Sequence, residues 1–239
     1  MGISDIYLNV SPRSIDRRVK KITYVKLGKT YTVSYGTLVS TIPLLSLYQL
    51  IGEKKRVVDQ AFLKTKYMDI IFVYVFLKKE RVSADHWLYF PDPEIPFNRA
   101  VEFGNWSKRM VPKGKTSICL DVTCYYGDKI WNSSDKELSE ACIQAADKIE
   151  YFKKEDVIDT YVHRVRYAYP VYDREYKERL ETIVSFLEKK DSYLLGRTGI
   201  FRYNNSDNSI EMAFQLAKNL LTNSKKKSLF TYEIKNASL

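Results

Sequence analysis

The order of the predicted elements points to an α+β fold, a mixed sheet backed by helices between about residues 44 and 170. Two observations carry this. Runs rich in Ile, Val, Phe and Tyr, broken by proline and glycine, dominate residues 67–123, and capped amphipathic stretches follow them. The chain has 239 residues, 45% hydrophobic and 28% charged, which is enough for one large core or two smaller ones.

The first elements read as a β-meander. Ile6, Leu8 and Val10 alternate, Ile22, Tyr24 and Leu27 follow, and Lys26-Leu27-Gly28-Lys29 makes a turn before Tyr31, Val33 and Tyr35. Such a meander needs a cover for its apolar face. Residues 38–42 form a buried-type strand, after which Pro43 opens a short helix that Gly52 closes. Four strands are expected at 67–78, 86–90, 101–106 and 116–126, separated by Pro91, Pro93, Pro96 and the turn Pro112-Lys113-Gly114.

Ser134 and Glu137 form a capping box for a helix with Leu138, Ala141, Cys142, Ala145 and Ile149 as its apolar positions. Residues 157–169 read as a strand ended by Pro170. A helix from about Arg174 places Tyr176, Leu180, Ile183, Val184 and Leu187 on one face. Residues 192–195 are a short buried strand running into Gly196. Asn208 and Glu211 cap the last helix, where Ile210, Ala213, Phe214, Ala217 and Leu221 follow the 3.6-residue period of an apolar face. Residues 223–239 are a polar, basic tail whose Leu229-Phe230-Thr231-Tyr232 cluster could add an edge strand.

Composition excludes several classes of function. The net charge of +10 is dispersed over turns and helix ends and accompanies no nucleic-acid motif, so an anionic substrate or cofactor is the better reason for it. The longest apolar runs, 38–45 and 70–77, are too short to span a bilayer, and no leader pattern opens the sequence; a cytoplasmic location is expected. Cys119, Cys124 and Cys142 have neither disulfide nor zinc spacing. With only His86 and His163 to add, no metal site is expected, and the thiols are read as buried and free. His86 and Trp87 are read as sheet residues, and Tyr67, Tyr74 and Tyr89 as core packing.

The stretch that carries chemistry is residues 193–210. A buried strand ends at Gly196-Arg197, passes through a polar and aromatic loop, and enters a capped helix. A helix start leaves about four N–H groups without intrahelical partners and carries roughly half a positive charge, which suits an anionic cofactor edge or a phosphate. Gly196, Arg197, Phe201, Arg202, Tyr203, Asp207 and Ile210 resemble the carboxy-terminal flavin-binding motif of the amine oxidase, protoporphyrinogen oxidase and UDP-galactopyranose mutase superfamily. Ser40-Thr41-Ile42-Pro43 is similar to the turn by which those proteins leave the flavin domain. His86 to Phe90 with Pro112 to Ser117 resembles their substrate-domain sheet, and Tyr169-Pro170-Val171-Tyr172 the segment before the chain returns to the flavin.

That resemblance implies a division of the chain: 1–43 as part of an FAD-binding domain of Rossmann type, 44–170 as substrate domain, 171–222 as the return to the flavin domain, and 223–239 as tail. It implies FAD as cofactor, with Gly196, Arg197, Asp207, Asn208, Ser209 and Pro43 as its contacts. Gly196 would allow close backbone approach, and the N–H groups of Asn208 and Ser209 would face the N1–C2=O edge of the ring. Arg197 and Tyr203 would reach substrate or cofactor phosphates; no catalytic residue is assigned. The family's GxGxxG unit occurs nowhere in the sequence. The flavin domain is therefore expected to be incomplete, and FAD to be held weakly or not at all. A separate chain carrying the GxGxxG half, or self-association, is expected to complete it, and the chain alone is expected to be inactive. Three functions remain open: an oxidoreductase transferring hydride from substrate to flavin, a mutase-like isomerase, and a cofactor-less interaction module. Asn205-Ser206 and Phe201 depart from the mutase pattern and favour the oxidoreductase.

Overall fold

A computed structural model describes residues 5–188 and 191–222; the tail expected at 223–239 lies outside them. The first strands are β1 (Val10–Asp16), β2 (Lys21–Lys26), β3 (Lys29–Ser34) and β4 (Leu38–Ser40), followed by α1 (Leu44–Ile51) and α2 (Arg56–Lys64). Next come β5 (Tyr67–Leu77), β6 (Trp87–Tyr89), β7 (Arg99–Glu102), α3 (Phe103–Trp106), β8 (Thr116–Cys124), α4 (Lys129–Asn132), α5 (Asp135–Lys148) and β9 (Val157–Pro170). The chain ends in α6 (Tyr176–Leu187), β10 (Ser192–Leu194), α7 (Gly196–Gly199) and α8 (Ser206–Leu221). These elements form two compact units, Met1–Lys66 with Tyr169–Leu239, and Tyr67–Ala168. The architecture is α+β.

The first unit brings the two ends of the sequence together. β4 and β10 pair in parallel, Leu38 opposite Ser192 and Ser40 opposite Leu194. The meander β1-β2-β3 is antiparallel, and its second turn places Leu27 and Gly28 at φ 49° and 76°, the hand that a two-residue hairpin requires. The alternation expected from Ile6 starts only at Val10. Ile6 and Leu8 are 72% and 73% exposed, so burial gives them no reason to hold a strand.

Pro43 stands one position before the first helical residue of α1, as its N-cap, and Gly52 closes the helix at φ 70°. The unit boundary falls after Lys66, where a boundary after residue 43 was expected. Helices α1 and α2 both pack on α6, which fixes them to this unit. The sequence reading missed α2, although Val58, Ala61 and Phe62 have helical spacing and are buried. The Tyr48 hydroxyl donates to Asp59 at 2.9 Å and ties α1 to α2.

The second unit is built on a five-stranded sheet in the order β6-β7-β8-β5-β9. One face is the core: Ile71, Val73 and Val75 of β5 lie with Ile118, Leu120 and Val122 of β8 against Leu138, Cys142 and Ala146 of α5. Odd positions of β5 face inward because side chains alternate across a strand. The capping box of α5 is present, with the Glu137 carboxylate accepting the Ser134 N–H at 2.8 Å. Its buried stripe includes Ile143 and Ala146, while Ala141 and Ile149 face solvent.

The strand expected over 101–106 stops at Glu102. That carboxylate is 1% exposed and accepts the Val82 and Ser83 N–H groups and the Thr116 hydroxyl, so its satisfaction fixes the turn into α3. Asp69, 3% exposed, similarly accepts the N–H groups of Tyr126 and Tyr167, each at 2.7 Å. Tyr89 is 66% exposed and does not pack in the core as expected. All three cysteines are buried thiols.

Candidate functional site

The carboxyl ends of β4 and β10 lie side by side because the two strands are parallel, and ligand sites of parallel sheets form at that end. β4 runs into Thr41 and Pro43, and β10 runs into Gly196 and Arg197. The Leu195 N–H donates to the Ser40 carbonyl at 2.9 Å, and the Thr198 hydroxyl donates to the Thr41 carbonyl at 2.9 Å. The residues before Pro43 and those around Gly196 are thereby fastened together.

What was read as a Gly-Arg loop is one turn of helix, α7. Gly196 is required by its backbone angle, φ 77°, and a side chain there would meet only open space. The close approach belongs to Gly199, which the sequence reading did not single out. A Cβ on it would sit 2.9 Å from the Ser40 carbonyl oxygen and 3.1 Å from Thr41 Cα. Two glycines three residues apart after a buried strand were the available signal.

Arg197 does not extend into open space. Its Nη1 donates to the Asn204 carbonyl at 3.2 Å, and its guanidinium carbon lies 4.4 Å from the Tyr203 ring centre and 4.8 Å from that of Tyr169. Tyr203 stacks on Tyr169 at 5.7 Å, and its N–H donates to the Tyr172 hydroxyl oxygen at 2.6 Å. Burial pushes the Tyr172 phenol above its ordinary value of 10.0, and the Tyr203 N–H opposes this. The hydroxyl is therefore a neutral group at physiological pH.

The last helix begins three residues earlier than expected. Its N-cap is Asn205, and the Asn208 side chain reaches back to accept the Asn205 N–H at 3.0 Å. The Ser209 N–H makes the first intrahelical bond, to the Asn205 carbonyl at 3.2 Å, so it cannot be a vacant donor as expected. The donors at the helix tip are those of the first turn, at Ser206 and Asp207, and both residues are exposed.

Three buried side-chain polar atoms of this unit have no hydrogen-bond partner among the described residues: Ser40 Oγ and Asn204 Oδ1 near this strand end, and Arg179 Nε on α6. Ser40 is 6% exposed and Asn204 is 7% exposed. Orphaned groups this deep each cost about 1–3 kcal/mol unless something bonds them. With the open space at Gly196 and the exposed start of α8, the Ser40 and Asn204 oxygens are the polar features of this part of the unit that the described residues leave unused.

The second unit carries a polar group on the sheet face opposite its core. Arg99 Nε donates to Asp121 Oδ2 at 2.6 Å across β7 and β8. Asp121 is 2% exposed, and burial raises its carboxyl above 3.8, opposed by the Arg99 guanidinium. Burial pushes the neighbouring Cys119 thiol up to about 12. Tyr74, opposite Cys119, stacks on Phe103 at 6.0 Å. The sequence reading missed this set, although an aspartate inside the run Ile118-Cys119-Leu120-Asp121-Val122 was a signal. Among the described residues no three His, Cys, Asp or Glu are grouped to hold a metal ion, and no helix is long and apolar enough to cross a membrane.

No protein-family profile matches the chain. Solved structures do. A reduced UDP-galactopyranose mutase is similar over 91% of this chain and 48% of its own, with 26% identity and a TM-score of 0.79. A putative protoporphyrinogen oxidase from Exiguobacterium sp. 255-15 is similar over 87% of this chain and 46% of its own, with 14% identity and a TM-score of 0.63. A putrescine oxidase redesigned in its cofactor binding is similar over 92% of this chain and 50% of its own, with 13% identity and a TM-score of 0.65. The chain thus shares its fold with part of each of these proteins and spans about half the length of each structure it matches.

Proposed function

We propose that this chain is the carboxy-terminal portion of an FAD-dependent enzyme, contributing one side of the flavin site and a substrate domain. The observation that carries the reading is the strand end at which Ser40 and Thr41 meet Leu195, Thr198 and Gly199, with the Ser40 and Asn204 side-chain oxygens left without partners. Gly196, Arg197, Asp207 and Pro43 are the residues that would hold the ring side of the cofactor, with Asn208 and Ser209 ordering the helix start behind them. When bound, flavin supplies the electron-accepting or nucleophilic chemistry that no side chain of the protein can provide.

The chain's own residues have simpler tasks. Gly196 leaves space beside the backbone, and Asn204 and Ser40 offer acceptor oxygens. The exposed N–H groups at Ser206 and Asp207 stabilise negative charge through their own dipoles and that of the helix. Asn208 and Ser209 act by fixing the first turn. Arg197 and Tyr203 set a cation beside two aromatic rings, a surface suited to an anionic substrate. The missing pyrophosphate loop leaves this half a weak binder, so a GxGxxG half is needed for activity.

Hydride transfer from substrate to flavin is one reaction of such a site. A mutase-like isomerisation is the second, and the likeness at 26% identity and a TM-score of 0.79 favours it over the oxidases at 13% and 14%. That outweighs the departures at Asn205-Ser206 and Phe201. Co-expression with a GxGxxG-bearing half is the test: a yellow complex is expected, and Gly196→Val should abolish its colour. The reduced complex should then interconvert UDP-galactopyranose and its furanose form. Failure to form any flavin-containing complex would refute the proposal; bleaching of the flavin by an amine or porphyrinogen would decide for the oxidase reaction.

A further inference from the structure

At one end of the sheet in the second unit two loops come together. Residues 78–86 follow the last residue of β5, and residues 103–115 lead through α3 into β8. Leu77 pairs with Thr116 and Glu102 with Ile118, so both loops sit beside the same strand ends. The chain enters and leaves this unit at the other end of the sheet, where Asp69 near the start of β5 accepts the N–H of Tyr167 near the end of β9. The eleven residues of β5 separate the two ends by roughly 33 Å.

The base of these loops is clamped. Asn105 Nδ2 donates to the Ser83 and Asp85 carbonyls at 3.1 and 2.7 Å, and the buried Glu102 carboxylate holds the N–H groups of Val82 and Ser83. A Cβ on Gly104 would meet Thr116 Oγ1 and Val111 Cγ2, each at 3.2 Å, so the second loop is packed down on β8. Out of this base stand Trp87, 47% exposed, and Trp106, 54% exposed, with Met110 in the adjoining turn also 54% exposed. The two indoles lie together, their centres 5.4 Å and their planes 16° apart, and the His86 ring is T-shaped against Trp106 at 5.0 Å. Single exposed apolar side chains need no explanation, but paired tryptophans beside a methionine form a patch. Around it the first loop exposes Lys78, Lys79 and Arg81, and the second Lys108, Arg109, Lys113 and Lys115. The only acids in the two loops are Glu80 and Asp85. Among the described residues none of these seven cations is in an ion pair.

We infer that this end of the second unit docks on an anionic lipid surface, with Trp87, Trp106 and Met110 entering the headgroup layer and the unpaired cations meeting anionic headgroups. Tryptophan suits that layer because its ring is apolar while its N–H still finds a polar partner. Lysine and arginine beside it are drawn by the negative surface potential. Either signal alone binds marginally, and attachment needs both, which is the combination these loops present. A nucleic acid strand has the same charge but fits less well. It binds aromatic residues by stacking bases on open ring faces, whereas Trp87 and Trp106 turn one face to each other and Met110 offers no plane. The attachment is peripheral, since no described helix is long and apolar enough to cross a bilayer. The inference uses none of the residues of the proposed flavin site and stands apart from it.

The test is co-sedimentation of the full chain with vesicles of phosphatidylserine and phosphatidylcholine in equal parts, against vesicles of phosphatidylcholine alone. Binding is expected only to the former, and weaker as salt shortens the screening length from about 10 Å at 0.1 M to about 3 Å at 1 M. Replacing Lys108 and Arg109 together by glutamine should lower the partition roughly 25-fold, at about fivefold for each cation. Trp106→Ser and Met110→Ser should each lower it roughly 5–10-fold, and their exposure keeps the fold out of the comparison. Brominated acyl chains should quench the tryptophan fluorescence of the bound protein, and less so in Trp106→Ser. Replacing Lys225, Lys226 and Lys227 by glutamine is the control for charge elsewhere in the chain and should leave binding within about twofold of the wild type. No binding overturns the inference. So does binding that ignores Trp106→Ser and escapes quenching, which is adsorption by charge, or binding lost with the control instead of with the two loops. Tighter binding of a single-stranded oligonucleotide through the same residues assigns the patch to nucleic acid and overturns it as well.

Discussion

Replacing Gly199 by alanine tests the geometry that holds the candidate site together. The added Cβ would lie 2.9 Å from the Ser40 carbonyl oxygen, 3.1 Å from Thr41 Cα and 3.3 Å from the Thr41 carbonyl carbon. All three are backbone atoms, and the Leu195 N–H at 2.9 Å and the Thr198 hydroxyl at 2.9 Å fasten that backbone to α7. No side chain can swing away, so the strand end itself must move. Overpacking of this kind costs about 1–3 kcal/mol, from which up to ~1 kcal/mol of helix propensity is recovered. A net loss of about 1–2 kcal/mol corresponds to a Tm lower by about 2–8 °C for a chain of this size. Melting followed by circular dichroism reads it. Two comparisons fix the cause. Gly196→Ala meets nothing within 4 Å but must adopt φ 77°, and should cost about 1 kcal/mol. Gly36→Ala has neither problem and should be neutral or stabilising by about 0.5 kcal/mol. Should Gly199→Ala melt with the wild type, the close approach of α7 to β4 is wrong, and with it the convergence that defines the site.

Other perturbations test the rest of the structure. Asp69→Ala removes the buried carboxylate that accepts the N–H groups of Tyr126 and Tyr167 and should destabilise the second unit by about 2 kcal/mol. Urea unfolding followed by tryptophan fluorescence reads this unit alone, because Trp87, Trp106 and Trp131 all belong to it, and an unchanged midpoint would contradict the clamp. The thiols of Cys119, Cys124 and Cys142 are all pushed up to about 12 by burial, so an aromatic disulfide reagent at about pH 8 should label none of them until urea is added. Rapid labelling of any one would show that it is accessible. Bonds from the Ser134 backbone and hydroxyl hold the Glu137 carboxyl below its ordinary 4.5. Its contribution to stability is therefore fully present above 4.5 and is lost as pH falls through the lower folded value. Carbon NMR of that carboxyl should show a midpoint under 4.5, and a midpoint at or above it would remove the capping box. Asn205→Ala should shorten α8 and cost about 1 kcal/mol, whereas Ser206→Ala should cost little, which is the order expected if Asn205 is the cap.

Local chemistry is what the sequence determined. Turn residues, capping boxes and side-chain periods act over a few residues, so Lys26-Leu27-Gly28-Lys29, Ser134 with Glu137, Gly52 and the long runs of β5, β8 and β9 were legible without coordinates. The parallel strand end was legible only through resemblance, because nothing local in Leu38 to Ser40 announces Ser192 to Leu194 as its partner. Tertiary structure alone decided three things. Glu102 ended a strand early because its buried carboxylate gathers three donors from two separate segments, Val82-Ser83 and Thr116. Gly199, not Gly196, is the glycine of close approach, since that depends on a backbone more than 150 residues away in sequence. And α8, whose periodicity promised a core helix, turns Phe214 and Leu221 outward: a hydrophobic period says that a face needs burial, but only the folded chain shows whether anything is there to bury it.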